Sequence, residues 1–517
     1  MPSPLDFRTS RRSVLAGATA AAVLPLLGQA AKADETPKKG GRFRMALAGS
    51  STTDTFEPGS IWDTGIQNIS AQVRDLMTEV APDGKIVPAL AESWEVSKDA
   101  MTWSFKLRKG VEFHNGKSFT SQDVLFTMNH HLKPDSISGA KGVLANVADV
   151  KADGPNGVIY TLKKPDADFA YTLSDYHMVI MQDGTTDWNT CIGTSAYVLK
   201  SFKPGSRFFA TKNPNYWRSD RGWFDEVETL IVNDAAARMN ALLSGQVDSV
   251  NRVDLKTINL LKRNPKFMVQ NIEGTKQATL PMLCDVAPFN DPNVRLGLKW
   301  ALNRKHIVDQ IFNGYAVVGN DQPIAKINRY FDPNLPQREY DPDKAKFFLK
   351  KAGQENTKFQ LHVADAAFAG AVDTAALYQE DARQAGVNIE LVREPADGYW
   401  KNVWINKPWC ASFWSGRPTE DAIFTLCYSK ESNSNESHWD NPRFNELLIA
   451  ARGELDDAKR RQMYSEMQQI CSDDSGSILP VFLNIVQATT DKIGTNRVSG
   501  YGEMDMDRSA HNWWFKA

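Results

Sequence analysis

The first 33 residues limit how the rest of the chain can fold. Arg11 and Arg12 stand directly before an apolar run from Val14 to Leu27, and the small residues Ala31 and Ala33 close the segment. This pattern predicts a twin-arginine signal peptide with an A-x-A cleavage site near Ala33. Because that route carries folded proteins, the chain must fold in the reducing cytoplasm without depending on a disulfide.

A membrane anchor is the alternative interpretation of this segment. The apolar run is shorter than the roughly 20 residues that a spanning helix needs, and Pro25 interrupts it. The segment has no cysteine near the cleavage site that could carry a lipid. We therefore expect a soluble protein, exported to the periplasm and without a membrane-embedded part.

Size and charge narrow the class of protein. Cleavage would remove three net positive charges, so the formal net charge of -2 becomes about -5. A mildly acidic chain without a basic cluster is not expected to bind nucleic acid. Cleavage also leaves about 480 of the 517 residues, which is too many for one core and predicts two or three lobes.

The five cysteines, Cys191, Cys284, Cys410, Cys427 and Cys471, cannot all pair within one chain. Their spacings fit no zinc pattern. Export would permit a disulfide, and Cys410 with Cys427 is the pair to test first. Isolated buried thiols are the prediction that agrees with folding in the cytoplasm.

Patterns along the chain predict an α/β architecture. Polar and apolar residues alternate from Arg42 to Ala48, Thr102 to Leu107 and Val158 to Leu162, as in half-buried strands. Helices are predicted at 293–312, 343–352 and 456–471, and Thr120 to Asp123 resembles a capping box that opens another. Strands and helices mix without a strict βαβ repeat.

Longer motifs resemble a known family. The stretch GKIVPALAESWEVSKDAMTWSFKLRKGVEFHNGKSFTSQDV, from Gly84 to Val124, is similar to the signature region of the family 5 bacterial extracellular solute-binding proteins. Further similarity lies in GTSAYVLKSFKPGSRFFATKNPNYW from Gly193, VNDAAARMNALLSGQVDSV from Val232, PFNDPNVRLGLKWALNRKHIVDQIFNG from Pro288 and YDPDKAKFFLKKAG from Tyr340. Together these segments extend over nearly the whole chain after the signal.

The resemblance implies a two-lobe periplasmic binding protein clamp of type II, cluster C, with an extra subdomain in the N-terminal half. It also implies a monomer that encloses a peptide or small molecule between its lobes and delivers it to ABC permease subunits at the inner membrane. The expected division is signal peptide 1–33, lobe I 34–80, extra subdomain 81–200, lobe I again 201–280, lobe II 281–484, and a return to lobe I over 485–517.

The segment Trp409 to Ala422 is where the ligand is expected to be selected. It resembles the family's glycine-tryptophan loop, in which an aspartate of the peptide binders holds the ligand's ammonium group. Here Trp414 fits the tryptophan, but Arg417 stands in the place of the aspartate. Arginine grips carboxylate in bidentate fashion, so we predict an anionic, amino-acid-derived ligand. The alternative is an internal ion pair of Arg417 with Glu420 or Asp421.

Other candidate ligand contacts are aromatic or lie near the first strand. Tyr399, Trp400 and Trp404 follow at about one-turn spacing; core packing is expected for two of them, while Trp400 or Trp404 could line the site beside Trp414. Asp54 and Phe56 match a region that lines the cleft in relatives, although Asp54-Thr55 replaces the usual aspartate-proline pair.

Rival functions have weaker support in the sequence. Motifs of hydrolases, zinc proteases and dinucleotide enzymes are missing, so we expect no catalysis and no cofactor. Nickel or haem capture is an alternative because nickel binders share this fold. However, only His130 and His131 adjoin, and they are interpreted as solvated helix residues rather than metal ligands. A ligand sensor that signals to a receptor is a further alternative.

Overall fold

The computed structural model describes residues 36–136 and 138–517. The predicted signal peptide lies outside the described residues. From Pro37 to Ala517 the chain forms one compact unit. Its strands are β1 Arg42–Leu47, β2 Thr78–Val80, β3 Ile86–Pro88, β4 Ala91–Val96, β5 Thr102–Leu107, β6 Val147–Ala152, β7 Gly157–Leu162, β8 Tyr197–Lys203, β9 Arg207–Lys212, β10 Glu226–Ile231, β11 Ser249–Val250, β12 Phe267–Pro281, β13 Ala316–Val318, β14 Lys358–Val363, β15 Asn388–Arg393, β16 Ser412–Trp414, β17 Ser477–Thr490, β18 Ile493–Gly494 and β19 Trp514–Phe515.

The helices begin after polar caps in most cases. They are α1 Thr64–Val73, α2 Ser121–Leu132, α3 Phe169–Thr172, α4 Ala235–Leu243, α5 Asn259–Lys262, α6 Pro292–Trp300, α7 Arg304–Gln310, α8 Pro342–Lys351, α9 Ala371–Gln384, α10 Tyr399–Asn402, α11 Glu420–Tyr428, α12 Pro442–Gly453, α13 Asp457–Asp474 and α14 Ser509–Asn512. The predicted α/β class is therefore confirmed.

A mixed sheet runs through the molecule in the order β16-β12-β17-β11-β1-β10-β9-β8, with β13 paired to β17. A separate antiparallel sheet has the order β4-β5-β7-β6. Parallel pairing joins β1 to β10 and to β11, whereas β12 and β17 are antiparallel.

Buried apolar residues form distinct cores. One, from Leu76 to Ile180, packs around the four-stranded sheet. Another joins both ends of the chain, from Phe43 to Val227 and from Ile493 to Trp513. A third extends from Ala278 to Val481. We call the part around the joined chain ends lobe I and the part around the third core lobe II.

Two local predictions need correction. The predicted helix 293–312 is two helices, because Asn303 accepts a hydrogen bond from the His306 N–H at 3.1 Å and so begins α7 anew. The two adjacent histidines are not solvated. His131 is buried against the Ser138 hydroxyl at 2.7 Å, and His130 contacts the Glu57 carboxylate at 2.5 Å.

The five cysteines, all in the described part of the chain, are free thiols. Cys410 and Cys427 lie in different cores. The prediction of isolated thiols is thus confirmed, and the Cys410–Cys427 pair does not form.

The predicted capping box at Thr120 is present and offers a test. The Asp123 carboxylate accepts from the Thr120 N–H and from the Asp183 N–H, each at 2.8 Å, and Asp123 is fully buried. We expect Asp123→Ala to lower the free energy of unfolding by about 1–2 kcal/mol, because α2 loses its cap and a loop N–H loses its acceptor. Gln122→Ala, in the same turn but exposed, is the control in urea denaturation. Equal stability of the two variants would contradict the capping role.

Candidate functional site

Two long strands, β12 and β17, connect the lobes. Their pairing is interrupted between Ile272 and Lys276. On one side of this break β17 pairs with β11 of lobe I, and on the other side it pairs with β13 of lobe II. A change of register at this point places the junction of the lobes beside Lys276.

Four aromatic rings form a row next to this junction, which we call the aromatic row. Trp414 lies 6.0 Å from Trp404, Trp404 lies 6.1 Å from Trp400, and Trp400 lies 5.6 Å from Phe413, all between ring centroids. Trp400 is 41 % exposed. The predicted tryptophans are thus brought together, while Tyr399 is buried and donates to the Ala411 carbonyl at 2.8 Å.

A buried carboxylate, which the sequence patterns did not reveal, supports the aromatic row. Glu436 accepts hydrogen bonds from Trp404 Nε1 at 2.9 Å and from the Thr279 hydroxyl at 2.8 Å. Burial raises the pKa of Glu436, although the hydrogen bond from Trp404 opposes the rise. These contacts fix the Trp404 ring, so the row has a set shape before a ligand arrives.

Arg417 follows the aromatic row in sequence and has no acidic partner. Its Nη1 donates to the carbonyls of Ser415 and Gly416, at 3.1 and 3.2 Å. Among the described residues no carboxylate comes within ion-pair distance of its guanidinium. Its charge is therefore available to a ligand.

The two acids that could have neutralised Arg417 are engaged elsewhere. Asp421 accepts from Arg452 Nε at 3.1 Å, and Glu420 accepts from the Tyr330 N–H at 2.7 Å. The structure therefore does not form the alternative ion pair of Arg417 with Glu420 or Asp421.

Lys276 adds a second cation at the same edge. Its Nζ lies 4.7 Å from the centroid of the Phe413 ring, and in the part of the chain that the structure describes it has no ion pair. Burial lowers the pKa of Lys276, while Glu503 of lobe I raises it. Its neighbour Thr275 packs so closely against Gly416 that a Cβ there would lie 1.6 Å from the Thr275 hydroxyl. Lys276 thus lies beside the Arg417 loop.

Asp54 and Phe56 make their contacts with residues of lobe I. The Asp54 carboxylate accepts from the Ser51 N–H at 2.8 Å and from the Ser50 hydroxyl, so it closes its own turn. Phe56 is fully buried and packs 4.6 Å from the Phe202 ring in lobe I. Phe56 is a core residue here rather than an exposed cleft residue.

Arg252 joins two acidic side chains. Arg252 pairs with Glu503 at 2.8 Å and with Asp63 at 2.9 Å. The charges of Glu503 and Asp63 raise the pKa of Lys276, and the charge of Arg252 lowers it. Two acids and one arginine thus contribute to the electrostatic environment of Lys276.

The described residues contain no group of three or more metal-ligating side chains placed to hold a metal ion. Within the same residues no helix has the length and apolar character needed to cross a bilayer.

Comparison with known proteins agrees with this geometry. The family model "Bacterial extracellular solute-binding proteins, family 5 Middle" matches residues 85–436, more than half of the chain. The chain belongs to family 5 of the bacterial extracellular solute-binding proteins. This family consists of proteins that bind solutes rather than of enzymes, so the predicted class of function is confirmed.

Individual relatives are similar over most of this solute-binding protein. The peptide transport periplasmic protein SapA of Salmonella typhimurium is 26 % identical over 465 residues, covering 81 % of this chain and 83 % of SapA. The heme-binding protein A of Haemophilus influenzae is 27 % identical over 453 residues, covering 80 % and 82 %. The structure of HbpA2 from Haemophilus parasuis matches with a TM-score of 0.83 at 21 % identity, covering 92 % and 100 %. This match confirms the two-lobe fold.

Proposed function

We propose that this protein is the substrate-binding component of an ABC importer and that Arg417 binds an anionic group of its ligand. The ligand class is a peptide or another carboxylate-bearing molecule derived from amino acids. The observation that carries the proposal is the unpaired Arg417 guanidinium beside an aromatic row. A bidentate arginine suits a carboxylate, and the exposed Trp400 ring suits an apolar side chain.

The two-lobe fold explains how capture could be reported to a permease. The ligand stabilises only the closed state in which both lobes contact it. In our proposal residues 34–80, 201–280 and 485–517 form lobe I, residues 81–200 form the extra subdomain, and residues 281–484 form lobe II. The pairing of β12 with β17 is irregular at Ile272–Lys276 and again at Ala278–Leu280, just before residue 281, where lobe II begins in our proposal.

The proposal includes export of the protein to the periplasm. The twin-arginine segment before Ala33 directs the folded protein to the periplasm, where it meets the ABC permease subunits. The protein acts there as a monomer and releases its ligand chemically unchanged. The relatives named as transport and binding proteins support this role.

Ligand identification comes first among the tests. Mass spectrometry of the small molecules released on denaturing the purified protein should reveal a carboxylate-bearing compound. Adding that compound at 100 times its Kd should stabilise the protein by about 2.7 kcal/mol. Nickel chloride and haemin are the control titrants, and tight binding of either one instead of the released compound would contradict the proposal.

Arg417→Ala then tests the contact itself. We expect the variant to lose at least about 1 kcal/mol of binding free energy for the released compound, because its carboxylate keeps its desolvation cost and loses its partner. Arg393→Ala is the matched control, since Arg393 is an exposed lobe II arginine without an ion pair among the described residues. Isothermal titration calorimetry measures both, and equal affinities would exclude a direct contact by Arg417.

A further inference from the structure

A short loop after β7 contacts two helices that lie far away in the sequence. Arg460 of α13 donates from Nη1 to the Asp168 carboxylate at 2.9 Å, although 292 residues separate the two. The Ala167 N–H donates to the Arg452 carbonyl of α12 at 2.7 Å. Arg460 and Asp168 are both buried, so water is excluded from their ion pair. We call the meeting of residues 165–168 with α12 and α13 the loop–helix contact.

The loop side of this contact is held by the four-stranded sheet and, through it, by lobe I. Trp103 of β5 donates from Nε1 to the Asp166 carbonyl at 3.2 Å. Ile180, in the core of that sheet, donates its N–H to the Asp75 carbonyl at 2.9 Å. Asp75 follows α1, whose apolar residues lie in the core of lobe I.

The helix side of the contact is held by lobe II. Arg295 of α6 donates to the Asp474 carboxylate, at the end of α13, at 2.9 Å. The Lys299 ammonium, also on α6, donates to the Ser472 carbonyl of α13 at 2.9 Å. Because α6 packs in the core of lobe II, separating the lobes would have to break the loop–helix contact.

The loop–helix contact holds more carboxyls than its arginines can pair. Ion pairs join Asp168 to Arg460 and Asp421 to Arg452. Two further carboxyls have hydrogen bonds but no ion pair among the described residues. Glu420, which is buried, accepts from the Tyr330 N–H at 2.7 Å, and the half-buried Asp166 accepts from the Asp168 N–H at 2.8 Å. Burial without a paired cation favours the protonated form of a carboxyl.

The surroundings of these two carboxyls are those of a proton-binding contact. Burial raises the pKa of Glu420 to about 7 and that of Asp166 to about 7, and the charge of Asp168 adds to both rises. The charged and titratable groups that face them come from both lobes: Asp168, Tyr171, Arg329, Tyr330, Asp421, Arg452, Arg460, Tyr464 and Tyr501. Separation of the lobes would return water to both carboxyls and remove the main cause of the rise.

We propose that the loop–helix contact is a latch that holds the two lobes together at acidic pH and releases them as the pH rises above neutral. The closed state binds protons that the open state gives up, so a lower pH favours closure, and this stabilisation is lost as the pH rises through about 7. The inference rests on the proposed function only in that the lobes of the binding protein open and close.

Hydrogen exchange at the Ala167 amide measures the latch directly, because its acceptor, the Arg452 carbonyl, belongs to the other lobe. In wild type without ligand we expect the protection factor, corrected for the intrinsic exchange rate, to be at least about tenfold lower at pH 8.0 than at pH 5.5. Small-angle X-ray scattering should show a larger radius of gyration at pH 8.0. Equal protection at both pH values would overturn the inference. So would lower protection at an unchanged radius, since only the loop would then detach.

A double variant, Asp166→Asn with Glu420→Gln, tests whether the two unpaired carboxyls cause the release. Both substitutions keep hydrogen-bond acceptors and remove the titration. We expect the variant at pH 8.0 to keep the protection and the radius that wild type has at pH 5.5. Asp149→Asn with Glu431→Gln, at exposed acids on the same two sides, is the control that should respond to pH as wild type does. A response of the Asp166/Glu420 variant equal to that of the control would contradict the proposed latch.

Two further variants test the contact at pH 5.5. Asp168→Asn takes the carboxylate from Arg460, and we expect lower protection at Ala167 and a larger radius. Gly453→Ala leaves every charge in place. A Cβ there would lie 2.8 Å from the Pro165 Cβ, while alanine suits the end of α12 better than glycine does. This variant should therefore open the contact at both pH values.

Wild-type protection in both folded variants would overturn the inference, and circular dichroism establishes that each is folded. None of these measurements involves a ligand. Their failure would leave the proposed role of Arg417 untouched, and equal affinities of Arg417→Ala and its control would leave the latch untouched.

Discussion

Replacing Asp321 by alanine should lower the free energy of unfolding by about 3–5 kcal/mol, because it breaks a fully buried ion-pair network. Asp321 is fully buried in lobe II. Its carboxylate accepts from Arg304 Nη2 at 2.6 Å, from Arg338 Nε at 3.0 Å and from the Leu479 N–H at 2.9 Å. Removing this carboxylate therefore takes the acceptor from Arg304 Nη2, Arg338 Nε and the Leu479 N–H. Arg304 is then left with backbone carbonyls alone, while Arg338 keeps Asp473 and the Ser472 carbonyl.

A third cation, Lys299, increases the expected loss in the free energy of unfolding. The Lys299 ammonium is also fully buried, and burial lowers its pKa to about 8, an effect that the charge of Asp321 opposes. Urea denaturation of wild type and Asp321→Ala measures the difference. Asp309→Ala is the control because Asp309 pairs with Lys305 on the surface of α7, where such pairs contribute little. A loss below about 1 kcal/mol for Asp321→Ala would show that the three cations find other partners.

Acid should weaken the same network. Burial alone would raise the pKa of Asp321, but Arg304, Lys299 and Arg338 hold it below its usual value. A carboxyl with a lowered folded pKa stabilises the protein above its unfolded pKa, and this stabilisation is lost as the pH falls through the folded value. Part of the acid denaturation of wild type should therefore be missing in Asp321→Ala.

Local sequence patterns predicted much of the fold because strand alternation and helix caps depend on residues that are close in the sequence. The alternation of Arg42 to Ala48 gave the position of β1, and the Thr120 capping box gave the start of α2. The break at Asn303 was missed because the apolar spacing continues across it. Only the Asn303 cap, which begins α7, shows that the helix is interrupted. The burial of His131 depends on the distant packing of the extra sheet and its loops, which periodicity does not record.

The candidate site was only partly predictable. Arg417 was found because it departs from a family motif, and Trp400, Trp404 and Trp414 were found as nearby aromatic residues. Lys276 and Glu436 come from segments far apart in the chain, and neither stands out in its local sequence. Alternation along β12 could have indicated that Lys276 lies on the exposed face of the strand. In the structure its neighbour Gln277 is fully buried, and Lys276 points to the other face.

The charges of the site change what the family resemblance suggested about the ligand. Arg417 and Lys276 would repel an ammonium at the loop where the family resemblance led us to expect one. In the proposed function, the part of the ligand that lies against this loop is therefore its anionic group rather than an ammonium.

A second cluster of charges joins the part of the chain that follows the four-stranded sheet to lobe II, and Glu420 lies within it. Arg460 donates to Asp168 at 2.9 Å, and the Ala167 N–H donates to the Arg452 carbonyl at 2.7 Å. Glu420 is 2 % exposed. Burial raises its pKa to about 7; the Tyr330 N–H opposes this rise, and the charge of Asp168 adds to it. Asp166, Asp421, Arg452 and Arg460 are the other charged groups of this contact.

Glu420→Gln should make the protein more stable at pH 8, by between about 1 and 3 kcal/mol, because glutamine keeps an acceptor for the Tyr330 N–H without a buried charge. A carboxyl with a raised folded pKa holds its proton in the folded state, so the stability it contributes is present below its unfolded pKa and is lost as the pH rises through about 7. The free energy of unfolding of wild type should therefore decrease from pH 5.5 to pH 8, and Glu420→Gln should decrease less. Urea denaturation at the two pH values measures this, with the exposed Glu431→Gln as control. Parallel pH dependence in wild type and Glu420→Gln would contradict this role of Glu420, because the change would then come from other buried carboxyls such as Asp166, whose pKa burial also raises to about 7.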